Sequence, residues 1–176
     1  SSPALNRLLA WGLQRYSAAE LDVPAVRAVT FVDRKAPACS GINGLAAGSE
    51  VSLCFGTADA CSDDGCTGWR AWAKATLLHE LAHVWISENV AQDVRDQFLS
   101  VSGLPTWESV DSLWGDRGVE LAAEAMAGSL MDEPVTLNIE FDRRYSCAEL
   151  ARLYAILAGA PPVDPPCEDL GEPPPS

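Results

Sequence analysis

Basic side chains are scarce in this sequence: 12 Lys and Arg stand against 25 Asp and Glu, for a formal net charge of −13 over 176 residues. Nucleic acids and anionic membranes are held through basic surfaces, so this balance argues against both as partners. Beyond Arg143-Arg144 no basic cluster interrupts the acidic pattern. Long apolar runs are missing too. None approaches the roughly 20 residues of a membrane-crossing helix, so no membrane span is expected. No Cys-x-x-Cys pair occurs, which argues against a zinc site built on thiolates. Histidine is scarce as well, with two in the chain. A catalytic metal site needs three protein ligands, so here at least one would be a carboxylate or a thiolate.

What is present is the material of one globular domain, expected over residues 1–160, followed by a proline-rich tail over 161–176. Hydrophobic residues make up 48% of the chain, enough for a sizeable core. The six cysteines are even in number and lie in loop-like stretches, which points to three disulfides and an oxidising, secreted or extracytoplasmic setting. Proximity favours Cys61–Cys66 and Cys147–Cys167, the latter tethering the tail, and leaves Cys39–Cys54. The chain starts Ser-Ser-Pro without Met, as expected if a leader has been removed.

Apolar residues at Leu5, Leu8, Leu9, Leu13 and Tyr16 give the first stretch a helical period. Val26–Val32 and Glu50–Phe55 read as strands, the second placing Val51, Leu53 and Phe55 on one face. Ala36–Gly48, with Pro37 and three glycines, reads as loop. Gly56–Gly68 reads as an acidic loop closed by a disulfide and not as a calcium site, since EF-hand spacing is absent. Thr67 is a candidate N-cap for the helix that follows, on which Trp69, Trp72 and Trp85 are expected to pack. A further helix is expected over Ala91–Val101, and Gly103–Gly118 reads as a long irregular connection. Val119–Met131 has strong helical composition, Val135–Phe141 is ambiguous, and Ser146–Leu157 carries a capping-box signature in Ser146 and Glu149.

The organising stretch is Lys74–Asn89, KATLLHELAHVWISEN. It contains His79-Glu80-Leu81-Ala82-His83, the pattern His-Glu-x-x-His. Helical residues four apart lie one above the other, so both imidazoles can reach one metal ion. Glu80 sits about 100° around the helix from His79, close enough to touch a water on that ion without ligating it. For the third ligand, Val119–Met131 offers Glu120 and Glu124, again one turn apart. An otherwise apolar helix does not bury two carboxylates without a partner, because an unpaired buried charge is costly. Glu108, Asp111 and Asp116 compete, but from a loop.

His79-Glu80-x-x-His83 followed by Glu120-x-x-x-Glu124 resembles the gluzincin layout of zincin metallopeptidases. Glu120-Leu-Ala-Ala-Glu124-Ala is also similar to the glutamate helix of lethal-factor-like catalytic domains. The resemblance covers Val51 to about Met131. It implies a Zn²⁺ ion held by His79, His83 and Glu120, Glu80 as general base, and Glu124 orienting a histidine ligand from behind. It also implies a peptide or protein substrate bound by strand addition to an edge strand, matched here with Glu50–Phe55. Lethal-factor-like domains carry a Tyr shortly before the glutamate helix. The segment SVDSLWGDRG has none, which leaves Arg117 and Tyr145 as candidate oxyanion donors. The expected fold is a small α+β zincin-like domain: a short mixed sheet packed on the motif helix, the glutamate helix and a C-terminal helix. Its rivals are a zinc-binding interaction protein on the same scaffold with little or no catalysis, and a metal-free structural protein.

Overall fold

The computed structural model describes residues 2–64, 66–109, 111–133 and 145–163, and it is an α+β structure. Helix α1 spans Pro3–Ala18, capped by the Ser2 hydroxyl, which accepts from the Leu5 amide. Three short strands follow: β1 (Ala28–Phe31), β2 (Gly44–Ala47) and β3 (Glu50–Leu53). A one-turn helix α2 (Thr57–Ala60) leads to the long α3 (Ala71–Asn89), then α4 (Gln92–Ser102), α5 (Gly118–Leu130) and α6 (Cys147–Ala158).

The sheet is mixed, in the order β1-β3-β2. β1 runs parallel to β3 with Val29 opposite Val51, and β2 runs antiparallel to β3 with Gly44 opposite Leu53. Two expectations change here. Gly44–Ala47, expected as loop, is a strand, and Glu50–Leu53 is the central strand where an edge was expected. An edge available to an extended partner therefore belongs to β2 or β1.

Helix α3 lies at the centre of the molecule, packed against α5, α1 and the sheet. Its Leu77, Leu78, Leu81, Ala82, Val84 and Ile86 are all buried, so it is apolar around most of its circumference, as a core helix must be. Each such leucine contributes about 1.5–3 kcal/mol through burial. Small residues let the neighbours approach closely. A Cβ added at Gly12 of α1 would lie 2.9 Å from Leu77 Cδ2 and 3.0 Å from Leu81 Cδ1. On α5, Ala122, Ala123, Ala125 and Ala127 are buried likewise. The end of α5 is tied to α1 and α3. Arg15 donates to the carbonyls of Leu130 at 2.6 Å and Met131 at 3.2 Å, where a cation also complements the helix dipole. Asp132, just beyond, accepts from Trp11 Nε1 and Lys74 Nζ, both at 3.0 Å.

Disulfides join Cys61 to Cys66, as sequence proximity suggests, and Cys39 to Cys54, the pair left over. Cys147 is disulfide-bonded as well, while its expected partner Cys167 lies outside the described residues, as does Val135–Phe141. The capping box at Ser146 is formed in both directions. The start of α3 is not as expected. Arg70 is its N-cap, and Trp69 lies ahead of the helix in a bridge to Cys61. Thr67 turns back instead, giving its amide and hydroxyl to Asp63, each at 3.0 Å.

One core group carries an avoidable cost. Tyr16 is fully buried, and its hydroxyl has no hydrogen-bond partner among the described residues. Burial and the neighbouring Tyr154 push its pKa well above the usual phenol value. An unsatisfied buried hydroxyl costs about 1–3 kcal/mol, most of which Tyr16→Phe removes without changing ring packing. Tyr16→Phe is expected to raise unfolding stability in urea by about 1 kcal/mol. A loss of similar size would show that the hydroxyl is bonded after all.

Candidate metal centre

Two helices build the site. The α-helical period of α3 stacks His79 and His83 one turn apart, with ring centroids 4.8 Å apart and Nε2 atoms 3.1 Å apart. Across from them α5 presents Glu120, whose Oε2 is 3.3 Å from Nε2 of each histidine. His79 and Glu120 are buried, and His83 is more open, its side chain 18% exposed. Among the described residues these three form a group that could hold a metal ion.

The donor set fits such an ion by its spacing. A tetrahedral zinc ion with bonds of about 2.0–2.1 Å separates its ligand atoms by roughly 3.3–3.4 Å. The three edges here are 3.1, 3.3 and 3.3 Å. Glu120 Oε2 is also a buried acceptor with no hydrogen bond among the described residues, although two imidazole nitrogens face it. Such an orphan is costly unless a cation or proton fills the space in front of it.

Behind the histidines, Glu124 Oε1 lies 3.3 Å from His79 Nδ1, the ring nitrogen that points away from the triangle. The geometry favours charge pairing over an aligned hydrogen bond. Burial alone would lower the His79 pKa. The carboxylates of Glu120 and Glu124, with a smaller contribution from Glu80, overcome that and hold it at about 10. Burial likewise tends to raise Glu120, but the two histidines beside it bring it down to about 2. In the metal-free protein the cluster is thus an ion pair. Both buried carboxylates of α5 have met the cationic partner that their apolar helix required.

Glu80 is buried on the same helix. Its carboxyl is raised above the usual range, first by burial. His79 and His83 oppose that shift, Glu120 adds to it, and the Ala46 amide of β2 opposes it. The carboxylate thus interacts electrostatically with both histidines and with Glu120 while lying under the sheet. β2 contributes to the site although nothing in its composition signalled it. A Gly-Leu-Ala-Ala strand has no β-branched or aromatic residue.

The other expected residues lie nearby in the chain but are occupied differently. Arg117 precedes α5, donates through Nη2 to the Ser112 carbonyl at 3.0 Å, and stacks over Trp114 at 5.2 Å. Its Nε is buried and makes no hydrogen bond among the described residues. Tyr145 is half-buried against the core just before α6. Glu108, Asp111 and Asp116 do not join the three-residue group. The acidic loop near Cys61 has a structural use, since Asp63 accepts from Thr67 and, at 2.8 Å, from the Gly68 amide.

No protein-family model matches the sequence, and no curated protein or solved structure matches the chain either. The reading of the site therefore rests on its own geometry.

Proposed function

We propose that the protein is a zinc-dependent peptidase of gluzincin type, hydrolysing peptide bonds of a peptide or protein substrate. The supporting observation is the triangle of His79 Nε2, His83 Nε2 and Glu120 Oε2, with edges of 3.1–3.3 Å, beside the buried carboxylate of Glu80. These three residues would hold zinc, which when bound supplies Lewis acidity that polarises a carbonyl and acidifies water. Two neutral imidazoles and one carboxylate leave such a centre with a net positive charge, suited to a developing oxyanion. Glu80 accepts the proton of the attacking water at its carboxylate and delivers it to the leaving amine. Its raised pKa brings its affinity for that proton closer to neutral pH. Glu124 holds His79 by Nδ1 and so keeps Nε2 turned toward the centre. Of the two candidate oxyanion donors, Tyr145 and Arg117, the reading favours Arg117. Its Nε–H, buried without a hydrogen-bond partner among the described residues, belongs to the N-cap residue of α5, three positions before Glu120.

A site of action outside the cytoplasm accords with the disulfides, which persist where thiols are oxidised. No described helix is long and apolar enough to cross a membrane.

Glu80→Gln tests the assignment. The amide cannot act as a base, so turnover of a broad peptide library should fall by about 10²–10⁴-fold while bound zinc is unchanged. No cleavage by either with zinc still bound would favour the zinc-binding interaction protein instead, and equal cleavage by both would remove Glu80 as the base.

A further inference from the structure

Glycine occurs three times around β2, for two different reasons. Gly41 and Gly48 flank the strand at φ of 77° and 58°, with open space where a Cβ would stand. Those are turn glycines, required by the backbone. Gly44 has no such backbone need, since its φ is not among the positive ones. In a strand a glycine weakens pairing and packing, so its presence there calls for a steric reason. A Cβ at position 44 would lie 2.5 Å from Glu80 Oε1, 2.7 Å from Cγ and 2.8 Å from Cδ. Ordinary carbon contacts stand at roughly 3.5–4.0 Å. The whole end of the Glu80 side chain rests on the bare Cα of Gly44.

The strand has little room to retreat. Gly44 is paired with the fully buried Leu53, and the Cys54 amide donates to the Asn43 carbonyl at 2.9 Å. The disulfide Cys39–Cys54 holds the approach to the strand as well. A methyl group at position 44 would therefore move the flexible carboxylate and leave the backbone in place. We propose that Gly44 is a positioning residue for Glu80, its missing side chain setting the distance from the carboxylate to a ligand held at the His79–His83–Glu120 centre. The inference rests on the reading of Glu80 as the proton carrier. A carboxylate displaced by roughly half an ångström to an ångström leaves the 2.6–3.2 Å range in which a proton is passed.

The test is a double-mutant cycle on the zinc-loaded protein, read by affinity for acetohydroxamate, a zinc chelator whose acidic proton a neighbouring carboxylate accepts. Gly44→Ala should weaken acetohydroxamate about tenfold, the order expected for a lost charge-assisted hydrogen bond, with zinc affinity unchanged. Glu80→Ala should weaken it as well, and adding Gly44→Ala to Glu80→Ala should change nothing further. Independent, additive losses would overturn the proposal. So would a Gly44→Ala protein that binds as the parent does, or equal affinity in the parent and Glu80→Ala. On a cleaved peptide, Gly44→Ala should lower kcat and leave KM in place. If the parent cleaves no peptide, the peptidase reading fails while the hydroxamate cycle still decides the role of Gly44. Should Gly44→Ala fail to fold, combining it with Glu80→Asp, one methylene shorter, should restore folding, and failure of that rescue would overturn the contact.

Discussion

Glu120→Ala is expected to lose zinc at any practical concentration, by more than about a hundredfold in affinity. Glu124→Ala should keep the ion with affinity lower by about 10–100-fold. The two carboxylates are near equivalents in sequence, one turn apart on one buried helix, and the geometry separates them. Glu120 Oε2 stands 3.3 Å from Nε2 of both histidines, closing a triangle of ligand spacing. Glu124 reaches Nδ1 of His79, on the side of the ring facing away from that triangle. Removing Glu120 subtracts a ligand and its charge from the centre itself. Removing Glu124 leaves the ligands but unfixes one ring, which is the effect of an outer partner. A zinc titration of the two variants beside the parent checks this. The reverse result would move the ligand one helical turn along α5. Retention of zinc by both would hand the third position to a loop carboxylate such as Glu108, Asp111 or Asp116.

The centre was legible because its constraints are local. Histidines at i and i+4 share a helix face whatever surrounds them, which allows the observed Nε2 separation of 3.1 Å. Glu120 and Glu124 were legible by a different route, the cost of burying charge in an apolar helix, and both do face His79. The capping box at Ser146 is again a contact across three residues.

What stayed hidden depends on distant partners. β2 has weak intrinsic strand preference and becomes a strand because β3 supplies a ladder and α3 a face to cover. Its position at the sheet edge follows from β1 taking the other side of β3, a choice made by topology. The start of α3 shifted for a similar reason. The Arg70 amide donates to the Ala60 carbonyl at 2.9 Å, and Trp69 bridges to Cys61, so the chain enters the helix extended. Neither contact is visible from the propensities of Thr67 to Trp72. The segment before α5 is likewise fixed by long-range bonds, among them the Gly118 amide to the Thr106 carbonyl at 2.8 Å. The orientation of Arg117 depends on that framework.

Zinc affinity should rise about tenfold per pH unit between roughly pH 7 and 9, well above the range in which an ordinary histidine competes with protons. In the metal-free protein His79 is lifted from 6.5 to about 10, because Glu120 and Glu124 outweigh the effect of burial. Glu120 is depressed from 4.5 to about 2 by the two histidines, against the effect of its own burial. At neutral pH zinc therefore meets an imidazolium at His79 and must displace the proton from Nε2, while Nδ1–H stays against Glu124. One proton leaves per ion, and its cost shrinks as pH approaches 10. Metal-free stability runs the other way. The raised His79 contributes fully below pH 6.5 and loses that contribution as pH rises through about 10, whereas the depressed Glu120 contributes fully above 4.5 and loses it as pH falls through about 2. The pair is thus at full strength from pH 4.5 to 6.5, and the gain in melting temperature on adding zinc should widen from there toward pH 9. Chelator-competition titrations, with calorimetry in buffers of different ionisation enthalpy to count protons, measure both slopes. Glu124→Ala removes one of the carboxylates that hold the proton, so its affinity should level off at a lower pH than the parent's. An affinity flat from pH 7 to 9 in the parent would mean that His79 is already neutral there, and that the buried carboxylates do not hold the proton ascribed to them.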